Sequence, residues 1–350
     1  MKQIFLKLIL PVLAFCTVSC GDNHEDDTAP QDNSQIVNVY SHRSYDVDKL
    51  LYEQFESETG IKVNVISDDA DKLIAKLQMS SSGSDADLLI TVDAARLWRA
   101  EEAGLFDTLA DDELNTKIST GMISGSNTWI ALTKRARVIA YDPNKVSAEE
   151  LQSWEDLTKP RFKGEIAVRS SNNVYNQSLL AAMIASNGEE EALKWAEGIV
   201  SNMAGDPKGN DRDQIRKVAA GEASVAIVNT YYYGMMSNSE DQADKEVAEK
   251  TKLAFPIIPG GGTHINVSGI GLLKSAPNRE NAISLIAFLT SEKAQNIYGE
   301  MNYEYPTNPD AMIETTVASW GNFEADDTPL DSLGAYNAAA VKVFDKAGWK

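Results

Sequence analysis

Between residues 36 and 103 the chain runs through strand and helix patterns in the order β-α-β-α-β, and this alternation limits the fold more than any other feature. Residues 36–40 (IVNVY) read as a strand. Residues 47–58 read as a helix with Leu50, Leu51 and Phe55 on one side and Gly60 as its stop. Residues 61–66 alternate apolar and polar, as a second strand does. Residues 71–79 form a short amphipathic helix pattern with Leu73, Ile74 and Leu77 facing inward, residues 87–92 a third buried strand, and residues 94–103 a helix ended by Gly104. Strands joined in this way by helices lie parallel, with the helices packed on the faces of the sheet.

The remainder repeats the theme less regularly. Residues 129–132 and 138–141 read as two strands flanking Thr133-Lys134-Arg135-Ala136-Arg137, and residues 166–168 as another strand, which runs into the polar stretch 169–177. Helical patterns cover about 178–185, 189–201 and 211–220. Residues 237–250 read as a polar surface segment, 253–258 as a strand and 260–262 as a flexible glycine loop. Residues 278–290 and 292–299 read as helices closing the first lobe, and the tail to Lys350 is expected to pack across the second. The expectation is an α/β protein of two lobes with the chain crossing between them more than once. Such an arrangement holds a ligand in a hinged cleft.

The stretch at residues 225–234, VAIVNTYYYG, carries chemistry. Its apolar start reads as a buried strand that ends by delivering Tyr231, Tyr232 and Tyr233 onto a loop. The carboxyl ends of strands are where open α/β sheets bind ligands. A phenol loses its proton near pH 10, so it becomes an anionic ligand only beside a strongly charged cation, for which hard trivalent iron is the natural candidate. Three aromatics capping a core would look the same, and the run by itself does not decide between the two.

The chain is acidic, with 32 Lys and Arg against 52 Asp and Glu. Phosphate would be repelled, which excludes nucleic acid as a partner. A cationic cargo is compatible with this charge, and so is simple solubility. At the amino end, residues 1–7 are basic and residues 8–15 apolar, too short for a lasting membrane span. Ser19 and Cys20 then resemble the cleavage point of a bacterial lipoprotein, with Thr17 an imperfect match, so that an ordinary cleaved signal also fits. The expectation is a signal peptide over 1–19, a lipid anchor on Cys20, and a flexible tether over 20–35 that lacks large apolar residues. No cysteine follows Cys20, which excludes disulfides and cysteine-based metal sites from the folded body.

Set side by side, the blocks VNVYSHRSYD, ADLLITVDAARLWRAEEAGLF, TKRARVIAYDP, VRSSNNVYNQSL, GNDRDQIRKVAAGEASVAIVNTYYYG and GGTHINVSGIGLL resemble the ferric-iron-binding proteins of bacterial ABC importers, from about Val37 to Pro306. The resemblance implies the type II periplasmic-binding-protein fold, with a first lobe over 36–132 and 258–306 and a second over 133–257 and 307–350. It also implies Fe(III) as cargo, held by the phenolates of Tyr45, Tyr175, Tyr231 and Tyr232, with carbonate or another synergistic anion beside it. Arg135 matches the residue that stands behind the metal or anchors that anion. Tyr233 falls outside the paired positions. Many relatives carry a histidine directly before the first-lobe tyrosine; here that position is Ser44, and His42 is left out of the ligand set. A permease and an ATPase are the implied partners, and the protein itself is expected to be a monomer outside the cytoplasm.

Rival classes find less support. A carrier of the same fold for an oxyanion would rely on helix N-termini, and one for a polyamine on paired carboxylates; neither accounts for loop tyrosines arriving from two strand ends. The G-x-S-x-G, H-E-x-x-H and P-loop patterns are absent, so a hydrolase is the remotest reading and no enzymatic activity is expected. His264 has no second histidine or carboxylate at metal spacing and reads as structural. Trp98, Trp129, Trp154 and Trp195 each sit inside a helix or strand pattern and read as core.

Overall fold

The computed structural model describes residues 35–80, 83–109 and 117–350. The expected signal peptide, anchor cysteine and all but the last residue of the tether lie outside the described residues. No described helix is long and apolar enough to cross a membrane.

The described strands are β1 (Ile36–Ser41), β2 (Lys62–Ser67), β3 (Leu88–Thr91), β4 (Trp129–Tyr141), β5 (Ile166–Ala167), β6 (Val225–Asn229), β7 (Lys252–Ala254), β8 (Ile265–Leu272) and β9 (Tyr305–Pro306). They join in the order β2-β1-β3-β8-β4-β6-β5, with β7 and β9 also pairing to β4. As the alternating pattern requires, β1 lies parallel to both β2 and β3. Helices α1 (Asp46–Thr59), α2 (Ala70–Met79) and α3 (Ala94–Glu102) connect and cover them.

Period-two alternation divides the strand residues between two apolar layers. Val37, Val39, Leu88 and Ile90 pack with Leu51 and Phe55 of α1 and with α8 (Arg279–Leu289) and α9 (Glu292–Asn302). Tyr40 and Leu89 belong instead to the layer with Leu73, Leu77 and Leu97. Helix α1 stops at Gly60, whose φ of 75° is the left-handed cap that only glycine adopts without cost.

Three local expectations are corrected. The stretch at 129–141 is one continuous 13-residue strand rather than two. Its first part pairs with β8 and its last five residues with β6, so β4 belongs to both halves of the sheet. The charges at its centre suggested a break because charged side chains are normally solvated. Here Arg135 and Arg137 are buried and find partners inside the protein, so nothing interrupts the strand. Secondly, Tyr231, Tyr232 and Tyr233 stand on a helix, α6 (Thr230–Ser237), and not on a loop. Thirdly, Tyr175 lies in the first turn of α4 (Val174–Asn202), which begins before the expected start and is broken at Gly188, φ 82°. Helix α5 (Asp211–Ala219) matches expectation, while the polar segment after α6 contains a further helix, α7 (Gln242–Glu249).

The tail adds α10 (Thr315–Ser319), α11 (Leu330–Ala335) and α12 (Asn337–Ala347). Helix α12 lies along α4, and helix α11 touches α3 as well as α4.

Close packing holds α6 in place. A β-carbon on Gly234 would fall 2.5 Å from Cβ of Tyr303 and 2.7 Å from its Cγ, atoms near the backbone that cannot swing aside. Gly234→Ala is therefore expected to cost about 1–2 kcal/mol, the overpacking penalty outweighing the helix-propensity gain of about 1 kcal/mol. Urea denaturation of the variant checks this; equal or greater stability would show that the helix can shift.

Candidate functional site

Four of the tyrosines singled out in the sequence meet. Tyr231 is at the centre: its hydroxyl lies 3.1 Å from that of Tyr175 and 3.2 Å from that of Tyr45, and its ring lies 4.2 Å from the ring of Tyr232, centroid to centroid. Each is delivered by a different local device. Tyr45 stands at the start of α1, where its backbone N–H donates to Asp48 Oδ2 at 2.8 Å. Tyr175 follows Asn173, whose side chain caps α4 by accepting from the N–H groups of Tyr175 and Asn176. Tyr231 and Tyr232 occupy the first turn of α6, directly after the buried strand β6.

Tyr233 points elsewhere. Its hydroxyl sits 2.9 and 2.8 Å from the carbonyl oxygens of Ala248 and Thr251, so it is a packing residue, in keeping with its place outside the paired positions.

Arg135 lies beside the cluster, its guanidinium carbon 5.4 Å from the centre of the Tyr175 ring. Nη2 donates to the carbonyl of Val92, while Nε and Nη1 are buried with no hydrogen-bond partner among the described residues. Two unspent donors at this point are suited to an anion. The sequence reading passed over two further arginines. Arg137 and Arg169 also approach the Tyr175 ring, at 5.9 and 5.8 Å, and both pair with the fully buried Asp211, at 2.7 and 3.1 Å. Asp211 Oδ2 further accepts from the N–H of Asn229, and Arg137 donates to Asn176 Oδ1 at 2.6 Å, so this network ties β4, β6, α4 and α5 together behind the phenols. Both arginines lie in the blocks TKRARV and VRSSNNVYNQ. What hid them is that their shared partner comes from a third segment.

A cavity of about 460 Å³ opens against Tyr175 and Tyr232, with Arg169, Lys208 and the start of α4 in its wall. His42 lines it too, with Nδ1 buried and unpartnered among the described residues. Burial lowers the pKa of His42, outweighing the nearby Asp69 and Asp93, so its ring is neutral. A neutral ring nitrogen is thus available at the cavity wall, although the sequence reading left His42 out.

Burial raises the pKa of Tyr45, Tyr231 and Tyr232, and the neighbouring phenols raise it further, since each opposes a second negative charge. Without a cation these three phenols keep their protons. A highly charged cation changes the balance, because phenol oxygens are hard donors and each can surrender a proton. Among the described residues no group of three or more His, Cys, Asp or Glu is placed to hold a metal ion.

His264 is buried away from any such role. Burial, aided by Arg137 and Arg135, pushes its pKa down to about 3 from the ordinary 6.5. The folded protein keeps this ring neutral while the unfolded chain protonates it, so its contribution is complete above pH 6.5 and is lost as pH falls toward 3. Between pH 7 and 4.5 that amounts to an acid-induced loss of about 2–3 kcal/mol. In His264→Gln the stability curve is expected to be flatter by that amount, measured by urea denaturation at the two pH values; parallel curves would refute it.

The chain matches the family described as bacterial extracellular solute-binding protein over residues 84–325. It is 46% identical over 333 residues to iron uptake protein A1 of Synechocystis, covering 95% of this chain and 92% of the relative. Among solved structures it resembles a Trichodesmium protein (IdiA, FutA) in complex with iron and citrate ligands, with TM-score 0.85, 43% identity, and coverage of 90% of this chain and 100% of the other. It resembles the ferric binding protein from Campylobacter jejuni equally well, with TM-score 0.86, 40% identity and the same coverage.

Proposed function

The chain belongs to the bacterial extracellular solute-binding proteins, in the group that binds ferric iron, and from that premise we propose that Tyr45, Tyr175, Tyr231 and Tyr232 are the ligands that hold its cargo. The protein is an extracytoplasmic carrier that captures Fe(III) and delivers it to an ABC importer. The observation that supports the four-tyrosine site is the meeting of phenol oxygens from three separate segments within 3.2 Å of the Tyr231 hydroxyl or in ring contact with it.

Iron binding replaces the protons of these phenols. Three or four phenolates offset the charge of Fe(III) almost completely, which lets the ion rest in a partly buried place. Arg135 favours the ionised phenols through its charge and offers its free donors to a carbonate or carboxylate that completes the shell. The lobes divide at 36–132 with 258–306, and 133–257 with 307–350, hinging where β4 passes from one to the other. Closure carries Tyr45 onto the other three, and the closed form is what the permease recognises. Cys20 carries the lipid that keeps a monomeric carrier at the membrane surface. Catalysis has no place in this reading.

The experiment is a titration of the metal-free protein with ferric citrate, followed by visible absorption and by proton release. A phenolate-to-iron charge-transfer band that saturates at one iron, with protons released in step, is the expected result. Iron uptake without the band would place the ion elsewhere, and no uptake would remove iron as the cargo.

A further inference from the structure

Lys134 and Arg135 are neighbours on β4, and side chains of successive strand residues point to opposite faces. Arg135 is turned toward the tyrosines, so Lys134 is turned away from them. It lines a separate cavity of about 200 Å³, together with Tyr305, Phe323, Ile265, Ile313 and Val317. None of these residues lines the cavity beside the tyrosines.

The wall is apolar and already assembled. Phe323 stacks on Phe255 at 5.0 Å and meets Tyr305 edge-on at 5.5 Å. Besides Asn322, two polar side chains break this surface. The Lys134 side chain makes no ion pair or hydrogen bond among the described residues, and burial lowers its pKa. Tyr305 is 6% exposed, and its hydroxyl is buried without a partner among the described residues. They are direct partners in the β4–β9 register, so both side chains rise from the same face. The stem of Lys134 is half-buried along this wall, and among the described residues no carboxylate is placed against its ammonium.

We propose that this cavity is a second binding site, on the face of β4 opposite the tyrosines, for a small monocarboxylate with an apolar or aromatic body. The carboxylate pairs with the Lys134 ammonium and accepts from the Tyr305 hydroxyl, while its body lies against Phe323, Ile265 and Val317. The space is that of about six or seven waters, which suits a molecule of the size of benzoate. A phosphate would carry more charge than one lysine can offset and would leave the aromatic wall unused.

The test is calorimetric titration of the iron-loaded protein with benzoate and with benzamide, its neutral counterpart. Benzoate is expected to saturate a single site below about 10 mM and to bind at least about tenfold more tightly than benzamide. In Lys134→Met that preference should disappear, with the iron colour unchanged, and Tyr305→Phe should weaken benzoate by roughly threefold or more. If Lys134→Met does not fold, Lys134→Gln carries the same comparison. Equal binding of the two probes, no saturation, or benzoate affinity unaltered by the lysine variants would each overturn the proposal; the last would assign the anion to the tyrosine cavity or the surface.

Discussion

Tyr231→Phe combined with Tyr232→Phe is expected to leave a folded protein that no longer turns coloured with ferric citrate and binds iron at least about 100-fold more weakly, the upper range for losing a partner outside a coordination shell and so a floor for losing ligands. Tyr231 is the phenol that touches the others, and it is 1% exposed, so its removal takes away the point through which Tyr45 and Tyr175 are joined. Phenylalanine keeps the ring, and with it the contact with Tyr232 and the edge-on contact with Tyr45. The double variant therefore separates donor chemistry from packing. Affinity is also expected to fall with acid in the wild type, because each phenol must give up a proton to bind, and to fall less steeply in the variant, with fewer protons to displace. Competition against a chelator at several pH values measures both. Retained colour, or a pH slope identical to that of the wild type, would remove these two phenols from the site.

Arg43→Met should produce the largest loss of stability of any single change considered, about 3–5 kcal/mol. Arg43 is fully enclosed, with Nε 2.7 Å from Asp48 Oδ1 and Nη2 2.7 Å from Glu304 Oε2, and it donates to Ser268 Oγ at 2.9 Å. Burial works against its charge, but the two carboxylates outweigh it and keep the guanidinium protonated. Burial likewise opposes ionisation of Glu304, and Arg43 outweighs it, holding that carboxyl below its usual range. Removing the cation strands two buried carboxylates: Glu304 loses what holds its pKa down and rises above the unfolded value, and Asp48, which burial already raises despite Arg43, rises further. A folded state with raised carboxyl pKa values binds extra protons and gains stability as pH falls. The deficit of Arg43→Met should thus be larger at pH 8 than at pH 5. Adding Glu304→Gln should restore part of it by removing one stranded charge. Urea denaturation of the single and double variants at both pH values decides the matter; a deficit independent of pH would mean that water reaches the carboxylates. Asp48 also receives the N–H of Tyr45, and the Arg43 guanidinium lies 4.8 Å from the Tyr45 ring, so this ion cluster helps to hold Tyr45 toward the other three tyrosines.

Much of this was legible in one dimension because it depends on neighbours along the chain. Apolar spacing in the first seventy residues of the folded body sets strand, helix and strand again, since burying one face of each element leaves few alternatives. The block VAIVNTYYYG shows a buried strand ending in phenols, and SSNNVYNQ places a tyrosine in polar company where core packing explains it poorly. Tyr45 was assigned by resemblance alone, for nothing in SHRSYD distinguishes it from an aromatic at a helix entry. Errors fell where tertiary contacts override local pattern. The centre of β4 looked like a charged interruption because the partners of its arginines, Val92 and Asp211, are remote in sequence. The tyrosines after β6 looked like a loop because aromatic residues are indifferent helix formers, whereas the folded chain makes them a helix packed closely on Tyr303 through Gly234.

By itself, then, the order of residues determined the layered α/β architecture and set phenols directly after a buried strand, because periodicity and residue type act over a few positions. Only the folded chain decided that the hydroxyl of Tyr45 lies 3.2 Å from that of a residue 186 positions away, that Arg43 is locked between Asp48 and Glu304, and that Lys134 is left facing a cavity without a carboxylate. Distances of that kind follow from how buried surfaces close on one another, which requires every segment to be in place at once.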